Sequence, residues 1–172
     1  MKGMTVVEVL VSVLIFSVVA LGLGYAVVAG KNALLVSDIP TQLRGDLLFA
    51  ISPLVRELRQ TAPARINLAE GASSNTVTFK IPNDNNVDGV VVDSVGNIEW
   101  GGDIVYARNG SSQLTRTFGG VTSVIAPNIV TLLFTRINGE NALIQVDITV
   151  SKTDGAGNLY QDTEQALVKM RN

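Results

Sequence analysis

Cysteine and histidine are both missing from this chain of 172 residues. Without cysteine there is no disulfide, no thiol nucleophile and no thiolate ligand for a metal. Without histidine, every imidazole-based catalytic arrangement and the usual nitrogen ligands of zinc are excluded as well. A cationic surplus is also lacking, since 13 Lys and Arg face 15 Asp and Glu for a formal net charge of -2. Nucleic-acid binding needs a clustered excess of positive charge, so none is expected. The most informative absence is local: residues 9–30 carry no charge at all. The hydrophobic fraction of 47% is ordinary for a globular protein, but its distribution is not. The length suits one domain with a real core, and two full domains would be a tight fit.

The charge-free stretch, VLVSVLIFSVVALGLGYAVVAG, is 22 residues long, and about 20 helical residues cross the hydrocarbon core of a bilayer. A soluble helix would show a polar face at the 3.6-residue period. Here only Ser12, Ser17 and a few glycines interrupt, and a helical serine can bond back to a carbonyl one turn earlier. The expectation is a spanning or membrane-embedded helix. A secretory signal peptide competes with it, and AVVAG at 26–30 imitates a cleavage site, but the apolar run is long and the polar head is minimal. Lys2 before the run favours a cytoplasmic N-terminus. Glu8 is the odd residue. A carboxylate at the start of a lipid-embedded helix is costly and by default marks function. The plainer account places it among headgroups, against the positive end of the helix dipole, where such terms stay under about 1 kcal/mol.

The string KGMTVVEVLVSVLIFSVVALG resembles a prepilin-type signal: a short basic leader ending in Gly, a hydrophobic residue, Thr, two aliphatics, Glu, then a long apolar helix. The family is that of type IV pilins and the pseudopilins of type II secretion. The resemblance implies cleavage between Gly3 and Met4 by a prepilin peptidase, N-methylation of Met4, and Glu8 as the fifth mature residue. Met stands where Phe is commoner, the leader is short, and the family's frequent helix-breaking proline is missing from the apolar segment. In a bundle of such helices a neighbour's Met4 ammonium would neutralise Glu8. A subunit docked out of register would leave a buried charge unpaired, at a cost of about 3–5 kcal/mol.

Beyond the apolar run the pattern becomes one-sided. Leu35, Ile39, Leu43, Leu47, Ile51, Val55 and Leu58 recur at steps of three or four, which predicts an amphipathic helix. Pro40 and Pro53 each delete a backbone donor, so a kinked rod or a break near residues 37–40 is expected. From about Thr61 the period shifts to two. Strands are expected over 76–81, 104–108, 113–118, 129–136, 142–150 and 164–170, with Asn109-Gly110 and Asn138-Gly139 as hairpin turns. Asp93 to Asn97 and Asp154 to Asn158 look like one turn chemistry used twice. The fold class expected is α+β: a long N-terminal helix, half membrane-embedded and half amphipathic, packed against an antiparallel sheet head, which the family resemblance makes a pilin-like fold. The divisions are a leader at 1–3, an apolar assembly helix at 4–30, an amphipathic helix at 31–62 and a β-rich head at 63–172. Tyr106, Leu-Thr-Arg at 114–116, Pro-Asn-Ile-Val at 127–130 and the closing Lys-Met-Arg-Asn resemble J-type minor pseudopilins and W-type minor pilins.

The head offers one candidate for inorganic chemistry. Asp84-Asn85-Asn86-Val87-Asp88-Gly89 matches the first half of a calcium loop, but its twelfth position is Val95 where a bidentate Glu is required. Asp84, Asn86 and Asp88, with Asp93, could still hold one calcium; the alternative is a polar turn. No enzyme emerges. The pairs Ser73-Ser74 and Ser111-Ser112 have no histidine to activate them, and Trp100 reads as a packed or half-exposed strand residue before it reads as a sugar platform. The leading expectation is therefore a structural minor subunit of a pseudopilus or type IV pilus. It would sit once across a bacterial inner membrane with its head in the periplasm or outside. Its partners would be other pilin-like subunits, the prepilin peptidase and an inner-membrane assembly platform. A membrane-anchored periplasmic binding module or filament-tip adhesin, and a secreted β-rich protein, are the competing readings.

Overall fold

The computed structural model describes residues 5–171, and for residues 32–37 the backbone alone. A 53-residue helix, α1, spans Val6–Leu58. The chain divides into two units, Met1–Ile39 and Pro40–Asn172. The first is the apolar segment of α1. The second contains the rest of α1, a short 3₁₀ turn at Pro63–Arg65 and eight strands: β1 (Ser73–Ser74), β2 (Thr76–Phe79), β3 (Ile104–Arg108), β4 (Leu114–Phe118), β5 (Val121–Ala126), β6 (Ile129–Arg136), β7 (Leu143–Thr153) and β8 (Leu159–Lys169). The amphipathic part of the helix from Pro40 thus belongs to the same compact unit as the sheets.

No break occurs at residues 37–40; α1 runs through both Pro40 and Pro53. An internal proline costs about 3 kcal/mol through its lost donor and its clash with the preceding turn. Around these two, Leu43, Leu47, Ala50, Leu54 and Leu58 are all buried. Each buried leucine contributes roughly 1.5–3 kcal/mol, so the stripe outweighs the interruptions.

The strands are antiparallel, as the alternation predicts, but they make two four-stranded sheets where one was expected. One has the order β2-β3-β4-β5 and the other β1-β6-β7-β8. Period-two burial sets the inner faces. Ile144, Val146, Ile148 and Val150 are buried on β7, and Val77 and Phe79 on β2. Phe79 and Tyr106 stack in parallel planes with centroids 6.1 Å apart.

The passage from one sheet to the other is short. Pro127 and Asn128 alone join β5 to β6, and Asn128 has φ 63°. Asparagine tolerates this left-handed backbone better than most residues. The corner is tied on both sides, since Ser151 N–H donates to the Asn128 carbonyl at 3.0 Å and Ile129 N–H to the Ser112 carbonyl at 2.8 Å. The Asn128 side-chain amide also reaches Asp46 on α1 at 3.3 Å.

Several strand limits differ from expectation for local reasons. β2 stops at Phe79 because Lys80 N–H turns to the Arg65 carbonyl and the Ile81 carbonyl accepts from Gly101 N–H. β8 begins at Leu159, five residues early, and β5 was not anticipated at all. Asn109-Gly110 does not form a two-residue turn. The loop spans residues 109–113 and its left-handed residue is Ser112, φ 56°.

Candidate functional site

The apolar segment of α1 is a candidate membrane span: Val6–Lys31, 26 residues, none of it buried within the chain. The valines, leucines and Phe16 around its circumference are exposed, as a lipid-facing helix requires. Ser12 Oγ donates to the Glu8 carbonyl and Ser17 Oγ to the Val13 carbonyl, both at 2.8 Å. Each hydroxyl is thereby satisfied without water.

At the start of this helix Thr5 and Glu8 cap one another. Glu8 N–H donates to Thr5 Oγ1 at 3.3 Å, and Glu8 Oε2 accepts from Thr5 N–H at 2.8 Å and from Thr5 Oγ1 at 3.0 Å. This is the reciprocal capping box, in which the first and fourth residues of a Thr-x-x-Glu string satisfy two helix-end donors. Glu8 consequently has a local task inside the single chain, besides any partner it meets elsewhere. The Thr-x-x-Glu spacing was the signal for Thr5 in the sequence. Gly3 and Met4, the residues of the expected cleavage point, lie outside the described residues.

The candidate calcium residues fall in an excursion between Pro82 and Trp100, which pair across its base. Their oxygens are turned to backbone amides of their own turns. Asp84 accepts from Asp88 N–H at 3.2 Å and Gly89 N–H at 2.8 Å, Asn86 Oδ1 from Asp88 N–H at 3.1 Å, and Asp88 Oδ1 from Val90 N–H at 2.9 Å. Asp93 serves a separate turn, accepting from Val95 N–H, Asn97 N–H and the Asn97 side-chain amide. The two bonds from Asn97 above all, and that from Val95 after them, hold its carboxyl below the usual carboxylate range. Among the described residues, no group of three or more acidic side chains is placed to hold a metal ion. The carboxylate that organises the excursion is Glu99, which accepts from Asn85 N–H at 2.7 Å and from Asn86 Nδ2 at 2.9 Å.

The turn at Asp154 reproduces the one at Asp93. In each, the carboxylate accepts from the backbone N–H groups two and four residues on and from the side-chain amide of the fifth residue, and the fourth residue is a left-handed glycine. Asn109 to Gln113 makes the same backbone pattern a third time, with Ser112 in the glycine's place.

The remaining candidates are structural. Ser73 Oγ shares a hydrogen bond with Thr135 Oγ1, and Ser112 Oγ accepts from Arg108 Nη2 at 3.0 Å. Trp100 is half-buried with the Arg65 guanidinium 5.5 Å from its ring centroid, so one face of the indole is already taken. In the head, Glu57 near the end of α1 receives Arg116 Nε on both oxygens, at 3.1 and 3.0 Å, and the Tyr106 hydroxyl at 3.1 Å. An open groove of ≈ 650 Å³ runs between α1 and β5, lined by Gly45, Leu48, Phe49, Pro53, Val124 and Ile125 among others.

No family profile, curated protein or solved structure matches the chain.

Proposed function

We propose that this chain is a membrane-anchored subunit of the type IV pilin-like class that enters a filament through its N-terminal helix, most like a J-type minor pseudopilin or a W-type minor pilin. One observation carries the reading: an acidic residue, Glu8, at the very start of a 26-residue apolar helix, behind the leader-like string Lys2-Gly3-Met4-Thr5. A carboxylate at the head of a lipid-embedded helix is costly and by default marks function, and a neighbouring chain's free Met4 amine is the partner, beyond the Thr5 cap, that cleavage after Gly3 would create. The head contributes no catalysis in this reading. The helix first holds the chain in the inner membrane with the head on the periplasmic side, and then packs among the helices of other pilin-like subunits. The prepilin peptidase and an inner-membrane assembly platform are its other partners.

The test is mass spectrometry of the mature chain purified from its own membranes. An N-methylated Met4 is the expected terminus. A chain that still begins at Met1 would overturn the filament reading, and a start near Lys31 would mean a secreted protein. A second reading, in which the helix only tethers a binding head, is favoured by the exposed groove beside Phe49; an intact Met1 would select it.

A further inference from the structure

The two sheets end in four edge strands among the described residues, and three of them are guarded. β1 is only two residues long. The outer side of β2 is covered by residues 65–67, through Lys80 N–H to the Arg65 carbonyl at 3.1 Å and Asn67 N–H to the Thr78 carbonyl at 2.9 Å. β8 is long but carries Asp162, Glu164 and Lys169. Short length, covering and charge are the usual means by which proteins keep a sheet border from pairing with another chain.

β5 lacks all three. Its sequence is Val-Thr-Ser-Val-Ile-Ala, without charge or proline, and it pairs only with β4. A bulge, a further device for turning a border aside, lies at Ile125, between the partners of Leu114 and Thr115, but it leaves residues 121–124 in straight register. Val121 is 69% exposed and Val124 54%. The groove beside this strand is walled on the other side by Leu48 and Phe49, 59% and 74% exposed. It continues past Gly45 and Leu48 to Pro40, Thr41 and Arg44. Arg44 is exposed and has no ion pair among the described residues, while nearby Asp46 is engaged with Asn128.

We infer that β5 is a docking border for an extended segment of another polypeptide, which adds to the sheet as a fifth strand, lays apolar side chains against Leu48 and Phe49, and presents an acidic group to Arg44. Three features name this occupant together. An open row of backbone donors and acceptors, wetted when free, is matched group for group by an extended chain, the apolar wall selects alternate side chains, and Arg44, the cation among the lining residues, selects a carboxylate at one end. The inference does not depend on the filament reading, because a tethered head would use the same border.

The experiment uses the full chain in lipid nanodiscs and the synthetic peptide Thr-Val-Thr-Val-Thr-Val-Glu as a free acid. Hydrogen exchange read by mass spectrometry should show saturable protection of residues 121–126. The same peptide with alternate backbone nitrogens methylated should not protect them. Val124→Lys and Arg44→Glu, both at exposed positions, should each weaken binding by about tenfold or more with an unchanged melting temperature. Equal binding of the methylated peptide would overturn strand addition in favour of a side-chain groove. Absence of protection at saturating peptide, or uptake equal to that of empty nanodiscs, would overturn docking altogether. Protection that grows with protein concentration in the absence of peptide would assign the border to a second copy of this chain instead.

Discussion

Gly155 and Gly157 sit two residues apart in the same loop and answer different demands. Gly157 has φ 90°, whereas Gly155 is not in the left-handed region, and a Cβ at either would meet nothing within 4 Å. Space is therefore equal and only the backbone differs. Gly157→Ala is expected to destabilise the head by about 1–2 kcal/mol. Gly155→Ala should be neutral or stabilising by up to about 1 kcal/mol, because alanine restricts the unfolded chain. Urea denaturation of the two variants side by side reads the contrast, and equal losses would refute it. The Asp93 and Asp154 turns were legible in the sequence because Asp, Gly and Asn recur at the same spacing. The Asn109 loop was not. Its Asn-Gly string suggests a shorter turn, and nothing in a serine announces a left-handed backbone. Thr5 was legible by its distance from Glu8, since Thr-x-x-Glu is the spacing of a capping box.

At the scale of elements, Glu57 joins the last turn of α1 to β3 and β4 by holding Tyr106 and Arg116 together. Burial, and after it the charge of Glu57, pushes the Tyr106 hydroxyl well above its ordinary value near 10. Below about pH 10 the folded and unfolded chains both keep this proton, and the contribution to stability is complete. Above it the unfolded chain releases the proton first, so stability falls by up to about 1.4 kcal/mol per pH unit as the pH rises toward the folded value. Denaturant titrations between pH 9 and 11 should show that slope, and Tyr106→Phe should flatten it; an unchanged slope would mean that another group is responsible. The strands that sequence found are those with a dry side and a wet side, such as β2 and β7. β5 has four exposed residues in succession, and the start of β8 alternates only between exposed and half-buried positions with Leu159 on the exposed side and Asp162 on the other, so neither writes a contrast into its apolar residues. Periodicity reports a difference between faces, and it is silent where the faces are alike.

For the molecule as a whole, the α+β class and the apolar helix were readable, because both follow from the period of the apolar residues. The split into two sheets was not, since local pairing of neighbours leaves open where the sheet divides. Assembly is tested at this scale through Glu8. Glu8→Ala removes the cap and the charge together, whereas Glu8→Gln keeps an acceptor at the fourth position of the capping box and removes only the charge. Under the filament reading both variants should be absent from sheared filaments by immunoblot, while circular dichroism shows the helix kept in the Gln variant. Normal incorporation of that variant would reduce Glu8 to a helix cap. The corner at Pro127 and Asn128 has its own consequence. Strand side chains alternate from face to face, and β6 is held in phase by its pairing with β7 and by the burial of Ile129, Leu132 and Phe134. One added residue taken up by the strand instead of the corner would swing those three toward water and bring Val130 and Leu133 inward, which is why the tied, two-residue corner leaves the strand a single way to start.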